Sequence, residues 1–130
     1  MRKVIFDANF LLLPFQFKID IFSEIEALIG RFEPIVLSTT LEELKKLSAR
    51  KSEKIRRQAS SALELAKKCR LMKVSVKPGE SYDDILLRVA KKCEYMVATN
   101  DSELRKRLRE EGIAVVFLRQ RARLQIEGFF

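Results

Sequence analysis

Short apolar runs alternate along the chain with stretches whose apolar residues recur at helical spacing. Val4–Phe6 has the composition of a short buried strand. Between Ile19 and Phe32 the apolar positions are 21, 22, 25, 28, 29 and 32, which predicts a helix. Pro34 restarts the chain, and Ile35–Leu37 follows as a second buried strand. Leu41, Leu44 and Leu47 mark another helix, and Ile55, Ala59, Ala62, Leu63 and Ala66 a longer one. Leu71–Val76 is strand-like and runs into a Pro78-Gly79 turn. Ile85, Leu86, Val89, Ala90 and Cys93 form a helical stripe. Met96–Ala98 and Ile113–Leu118 are the last two strands, separated by a polar helix from Ser102 to Glu111 that Gly112 closes. The predicted order is β-α-β-α-α-β-α-β-α-β. That alternation implies an α/β protein with a mostly parallel sheet and helices on both faces. One domain over residues 1–130 is expected at this length. The pattern does not decide the conformation of the basic tail, residues 119–130.

The chain has 26 Lys plus Arg against 18 Asp plus Glu, a net charge of +8. It contains no histidine, which excludes Ser-His-Asp and Cys-His catalysis and imidazole metal ligation. A catalytic metal would therefore be held mainly by carboxylates, which favours hard ions such as Mg²⁺ or Mn²⁺. Cys69 and Cys93 make neither a CxxC pair nor a zinc spacing. They read as buried thiols in a reducing cytoplasm. The start, MRKVIFDANFLLLPF, is a poor signal peptide because Asp7 breaks its apolar stretch. No run is long enough to cross a membrane, so a cytoplasmic location without membrane contact is expected.

The acids fall in a pattern. In open parallel sheets, ligands bind beyond the carboxyl ends of the strands. Asp7 follows the first strand. Glu42 and Glu43 follow the second through Ser38-Thr39-Thr40. Asp83 and Asp84 open the helix after the third. Asp101 and Glu103 follow the fourth through Thr99-Asn100. Capping boxes explain part of this: Thr39 with Glu42, Ser81 with Asp84 and Asn100 with Glu103 all fit. Each box leaves one acid over, namely Glu43, Asp83 and Asp101, with Thr40 and Glu43 as an alternative box. Facing supports the division. Glu42 has Lys46 four residues on, whereas Glu43 has Leu47. Asp83 shares its side with Leu86 and Ala90, whereas Asp84 lies nearer solvent. Clustered carboxylates repel, by about 3 kcal/mol for two charges about 5 Å apart at an effective dielectric of about 20. A divalent metal relieves that repulsion and can activate water against a phosphodiester.

On these motifs the sequence resembles the PIN domain family of metal-dependent ribonucleases, over essentially the whole chain. The motifs are VIFDAN with Asp7, VLSTTLEEL with Glu43, YDDILLRVA with Asp83 and VATNDSEL with Asp101. Asn9 stands where many members have Ser or Thr, and Glu103 at a more variable acidic position. The absence of an aspartate at position 9 departs from the haloacid-dehalogenase DxD motif. The resemblance is to small archaeal stand-alone members, similar both to VapC-type toxins and to PIN nucleases of ribosomal RNA processing. It implies a three-layer α/β/α fold with a five-stranded parallel sheet in 3-2-1-4-5 order, and often a homodimer. It implies Mg²⁺- or Mn²⁺-dependent endonucleolytic cleavage of RNA. Asp7, Glu43, Asp83 and Asp101 would be catalytic and metal-binding, with Glu103 and Asp84 as further candidates. An antitoxin or a ribosome-assembly factor would be the partner.

Between Lys45 and Lys73 lie eleven Lys or Arg residues and two acids. Lys45, Lys46 and Arg50, just beyond Glu43, could steer a phosphate backbone towards the site. Asn9, Thr99 and Asn100 are also placed against substrate. Arg105, Lys106, Arg107 and Arg109 make a second basic cluster, and Arg119, Arg121 and Arg123 a third. Phe10, Phe15 and Phe17 could stack bases but also suit a core. The competing expectation is a catalytically silent RNA-binding or assembly module with the same fold.

Overall fold

A computed structural model describes residues 1–50, 52–120 and 122–129. The elements in chain order are β1 (Arg2–Phe6), α1 (Ala8–Phe17), α2 (Ile21–Ile29), β2 (Phe32–Leu37), α3 (Ser38–Ser48) and α4 (Glu53–Ala66). They continue with β3 (Arg70–Met72), α5 (Tyr82–Cys93), β4 (Met96–Ala98), α6 (Ser102–Glu110), β5 (Val115–Arg119) and β6 (Arg123–Glu127). The sheet order is β3-β2-β1-β4-β5-β6. The first five strands are parallel, in the expected order, and β6 adds antiparallel to β5.

Strand residues alternate between two cores. Val4, Phe6, Val36, Ala98, Val116 and Leu118 lie in one, beneath α1, α2 and α4. Ile5, Ile35, Leu37, Val97 and Val115 lie in the other, beneath α5 and α6. Central strands buried on both faces explain why they read as unbroken apolar runs.

Four features differ from the pattern's expectation. The helix α1 was not predicted. Its sequence, ANFLLLPFQF, is apolar on nearly every side and contains Pro14, so no periodicity marks it. Phe10, Leu11 and Leu13 are fully buried in it, and Phe10 packs edge-on against Phe6. The predicted helix through Phe32 stops at Ile29, because Gly30 adopts a φ of 82° that turns the chain into β2. β2 therefore begins before Pro34, and β3 pairs with it only from Ile35 onward. The missing N–H of Pro34 thus falls outside the segment paired on both sides.

The third difference is β3, shorter than the Leu71–Val76 run. The backbone beyond it is claimed by side chains: the Val74 N–H donates to Ser38 Oγ at 3.0 Å and Ser75 O accepts from Arg88 at 2.7 Å. The fourth is the sixth strand, against the five expected. Gln120 turns the chain at φ 54°, and Leu124 folds back onto the core with Ile126 beside it. Arg123, Gln125 and Glu127 alternate with them, so the tail carries a period-two pattern after all. The tail's Arg121 lies outside the described residues. Cys69 and Cys93 are free, partly buried thiols. Among the described residues no helix is long and apolar enough to cross a membrane.

The burial of β6 has a measurable consequence. Leu124→Ala is expected to lower unfolding free energy by about 2–5 kcal/mol. Leu71→Ala, on the exposed side of β3, should cost less than about 1 kcal/mol. Chemical denaturation of both variants checks the contrast.

Candidate active site

The carboxyl edge of the sheet carries Asp7 at the end of β1. Its backbone continues the strand, since the Asp7 N–H donates to Ala98 O of β4 at 3.0 Å. Its side chain caps α1, with Oδ1 accepting from the Ala8 N–H at 2.8 Å. Oδ2 accepts from Thr99 Oγ1 at 2.7 Å and Asn9 Nδ2 at 3.0 Å. Only 5% of Asp7 is exposed. Burial is the main cause that pushes its pKa up to about 6, opposed by the Thr99 hydrogen bond and reinforced by Asp83 and Asp101.

Glu43 projects from α3 towards the same place. Burial, then the charges of Asp7 and Asp83, push its pKa up to about 7, against the pull of Lys46. Asp83, in the first turn of α5, is raised by burial and next by Asp101, with Arg107 opposing. Asp101 caps α6, its Oδ1 accepting from the N–H groups of Glu103 and Leu104 at 2.9 and 3.1 Å. Four acids from four successive βα connections therefore feel one another's charge. Among the described residues no three of them stand close enough to grip one ion directly. Mg²⁺ does not require that, because it usually keeps several waters and takes one or two carboxylates. The donor chemistry fits a hard divalent ion: carboxylate oxygens, partly desolvated, mutually repelling and free of sulfur or imidazole.

Asp84 stands apart from this group. It completes the capping box with Ser81, and its Oδ1 accepts from Arg107 at 2.8 Å. The Ser81 backbone N–H, then Arg107, hold its carboxyl down at about 2. Its oxygens serve the capping box and Arg107, so as a metal ligand it would have to share them. Glu103 is exposed at the start of α6, and its charge reaches Asp83.

The other two expected capping boxes do not form. α3 begins directly at the strand end with Leu37 as its cap, which puts Thr39 and Thr40 inside the helix and buried. Asn100 spends its Oδ1 on the Leu118 N–H at 2.9 Å, leaving Asp101 to cap α6. The residues placed against substrate by their sequence position also have internal partners. Thr99 is fully buried, bonded to Asp7 and to the Asp101 N–H. Asn9 bridges Asp7 and the Asn100 N–H. These residues set the position of Asp7 and tie β1 to β4; Thr99 has no surface to offer a ligand.

Much of the basic charge is paired. Arg107 binds Asp84, and Arg105 and Arg109 flank Glu127 at 4.0 and 3.6 Å. Arg105 also stacks over Phe117. On α3, Lys46 meets Glu42 at 3.7 Å and lies over the Tyr82 ring, 5.1 Å from its centroid. Lys45 and Arg50 are exposed and make no ion pair among the described residues. Tyr82 is a feature the sequence did not flag: its hydroxyl is buried, and the Lys46 ammonium lies near enough to be raised in pKa by it. Phe10 belongs to the core, whereas Phe15 is 40% exposed.

Comparison with known proteins agrees with this fold. The chain is 37% identical over 130 residues to ribonuclease VapC4 of Methanocaldococcus jannaschii, covering 98% of each protein. It is 32% identical over 111 residues to the rRNA-processing protein FCF1 of Saccharomyces cerevisiae, covering 83% of this chain and 54% of that one. Its fold superposes on the PIN domain endonuclease Utp24 with a TM-score of 0.77 and 28% identity, over 98% of this chain and 92% of that one. A domain of unknown function from M. jannaschii shares the fold at a TM-score of 0.68 and 18% identity, over 100% and 99% of the two chains. The family model of the PIN-like domain matches residues 4–121, and the chain belongs to that family.

Proposed function

We propose that the protein is a Mg²⁺- or Mn²⁺-dependent endoribonuclease. The observation that carries this reading is the buried Asp7 carboxylate, held by Thr99 and Asn9 and repelled by neighbouring acids from separate connections. Its hydrogen bonds satisfy its oxygens but supply no countercharge among the described residues, which a divalent ion would. Likeness to a protein named a ribonuclease, across nearly the full length of both chains, supports the substrate class.

Asp7, Glu43, Asp83 and Asp101 would hold the ion, with Glu103 at the rim. Its chemistry there is to make water a competent nucleophile at neutral pH and to offset charge on the leaving oxygen. The chain's own residues do the rest. Thr99 and Asn9 keep Asp7 in one orientation. Asp101 is fixed by its bonds to the first turn of α6. Lys45, Lys46 and Arg50 attract the phosphate backbone. Water adds to phosphorus and the P–O3′ bond breaks, leaving a 5′-phosphate and a 3′-hydroxyl.

The two biological settings follow the two relatives. As a toxin the protein would work in the cytoplasm as a homodimer held in check by an antitoxin. As a processing nuclease it would act on ribosomal RNA within an assembly complex. Growth arrest on expression, relieved by the product of the neighbouring gene, identifies the toxin setting. A module that binds RNA but no divalent ion would be the silent alternative.

Purified protein is expected to cleave structured RNA with Mg²⁺ or Mn²⁺ and to stop on chelation. Asp7→Asn and Glu43→Gln should fall to background, and Thr99→Val by about 10- to 100-fold, as for a group that orients a ligand. End-labelled RNA on denaturing gels reads all of these, and cleavage retained by Asp7→Asn overturns the mechanism.

Stability should carry the same signature. Asp7 and Glu43 bind protons more tightly folded than unfolded, so each costs the metal-free protein stability as pH rises from about 4 to about 7. The Tm of Asp7→Asn relative to the parent should therefore climb between about pH 4 and about pH 6 in chelator and level off above that. Mn²⁺ should raise the parent's Tm more at the higher pH. A pH-independent difference would remove Asp7's raised pKa from the account.

A further inference from the structure

Three consecutive residues open α5, and each does something different. Tyr82 presents its ring to the Lys46 ammonium, 5.1 Å from the centroid. Asp84 accepts from the Arg107 guanidinium at 2.8 Å. Asp83, between them, is left to the acidic site. Side chains on a helix step by about 100° per residue, so residues 82 and 84 point to opposite flanks of residue 83. Lys46 comes from α3 and Arg107 from α6, the two helices against which α5 packs.

We infer that Lys46 and Arg107 are a pair of tethered phosphate-binding groups that straddle Asp83. The strand to be cut runs across the first turn of α5, from the α3 side to the α6 side. This rests on the ribonuclease reading and adds the path of the strand to it. Tyr82 and Asp84 are positioning residues in this arrangement. An aromatic face and a carboxylate restrain the two long side chains in advance, which reduces the entropy cost when phosphate is bound.

The surroundings support the assignment. Both cations remain open to solvent, with 66% and 43% of their side chains exposed. Lys46 also meets Glu42 at 3.7 Å, a loose exposed pair that a phosphate can replace. Each cation acts electrostatically on an acid of the site, Lys46 on Glu43 and Arg107 on Asp83. The Tyr82 hydroxyl is buried in the same turn, close to the Lys46 ammonium, and its proton can be donated to a bound oxygen. The remaining α6 arginines do not compete, since Arg105 and Arg109 are turned to Glu127.

The test is the salt dependence of RNA binding, in an Asp7→Asn background that binds without cutting. A short single-stranded RNA is titrated in Mg²⁺ at several salt concentrations. Removing one phosphate-binding cation should reduce the slope of log K against log salt by about 0.7. Lys46→Ala and Arg107→Ala should each show that reduction, and together about twice it. Tyr82→Leu and Asp84→Asn should weaken binding several-fold with the slope unchanged, because the cation is loosened rather than removed. Tyr82→Phe keeps the ring under Lys46 and isolates the hydroxyl. Lys92→Ala, in the last turn of α5, is the control and should match the background. Slopes unchanged in both alanine variants, with binding intact, overturn the straddling pair while leaving the nuclease reading standing. Absence of RNA binding in the folded background protein overturns both. Should Arg107→Ala unfold, Arg107→Lys retains the charge and must retain the slope.

Discussion

The arrangement at the sheet edge depends on one interaction, the hydrogen bond from Thr99 to Asp7. It joins the carboxyl ends of β1 and β4, the two central strands, across 92 residues of sequence. A carboxylate that is only 5% exposed is costly unless its oxygens are bonded. Ala8 and Asn9 supply the other two bonds, one of them the cap of α1. Thr99 in turn accepts from the Asp101 N–H, so the position of the second aspartate follows from the first. Burial thus raises the energy of the charged form while the bonds fix its direction. A group in that state is held in one direction at a cost to the stability of the fold rather than contributing to it.

The division of charge follows from the helices. Acids reach the site because each βα connection ends at the same sheet edge, where helix starts favour negative side chains. Some of those acids serve the helices themselves. Asp84 and Asp101 both cap, but Asp84 is also consumed by Arg107 whereas Asp101 keeps an oxygen unengaged among the described residues. The basic residues, +8 in excess overall, are less free than their number suggests. On α6 Arg105 and Arg109 turn to Glu127, while Arg107, tethered to Asp84, keeps part of its side chain in solvent; Lys45 on α3 and Arg50 just beyond it are exposed.

The mostly parallel sheet was legible because parallel strands must be apolar on both sides, its order came only with the family resemblance, and the acids stood out because ligands gather at the carboxyl ends of strands. The capping-box assignment separated Asp83 from Asp84 with helical facing in support, and the Ser81–Asp84 box formed as the pattern indicates. The helix α1 was not legible. A helix buried nearly all round has no polar face to give it a period, and Pro14 argues locally against it. The boxes at Thr39 and Asn100 were misread for another reason. A capping motif competes with tertiary partners, and the Leu118 N–H claims Asn100 while the chain enters α3 without a loop.

The sequence by itself determined the α/β class, the mostly parallel sheet and the placement of acids after successive strands, because hydrophobic period and strand ends are local properties. It also determined that no imidazole takes part. Tertiary structure decided which polar neighbours touch a ligand and which are spent inside. Thr99 and Asn9 share a motif with the acids, yet they hold Asp7 because β1 and β4 lie side by side. It likewise decided that the tail returns as β6 and that Lys46 and Arg107 flank Asp83. Those facts depend on contacts between residues distant in sequence, which spacing along a single chain does not record.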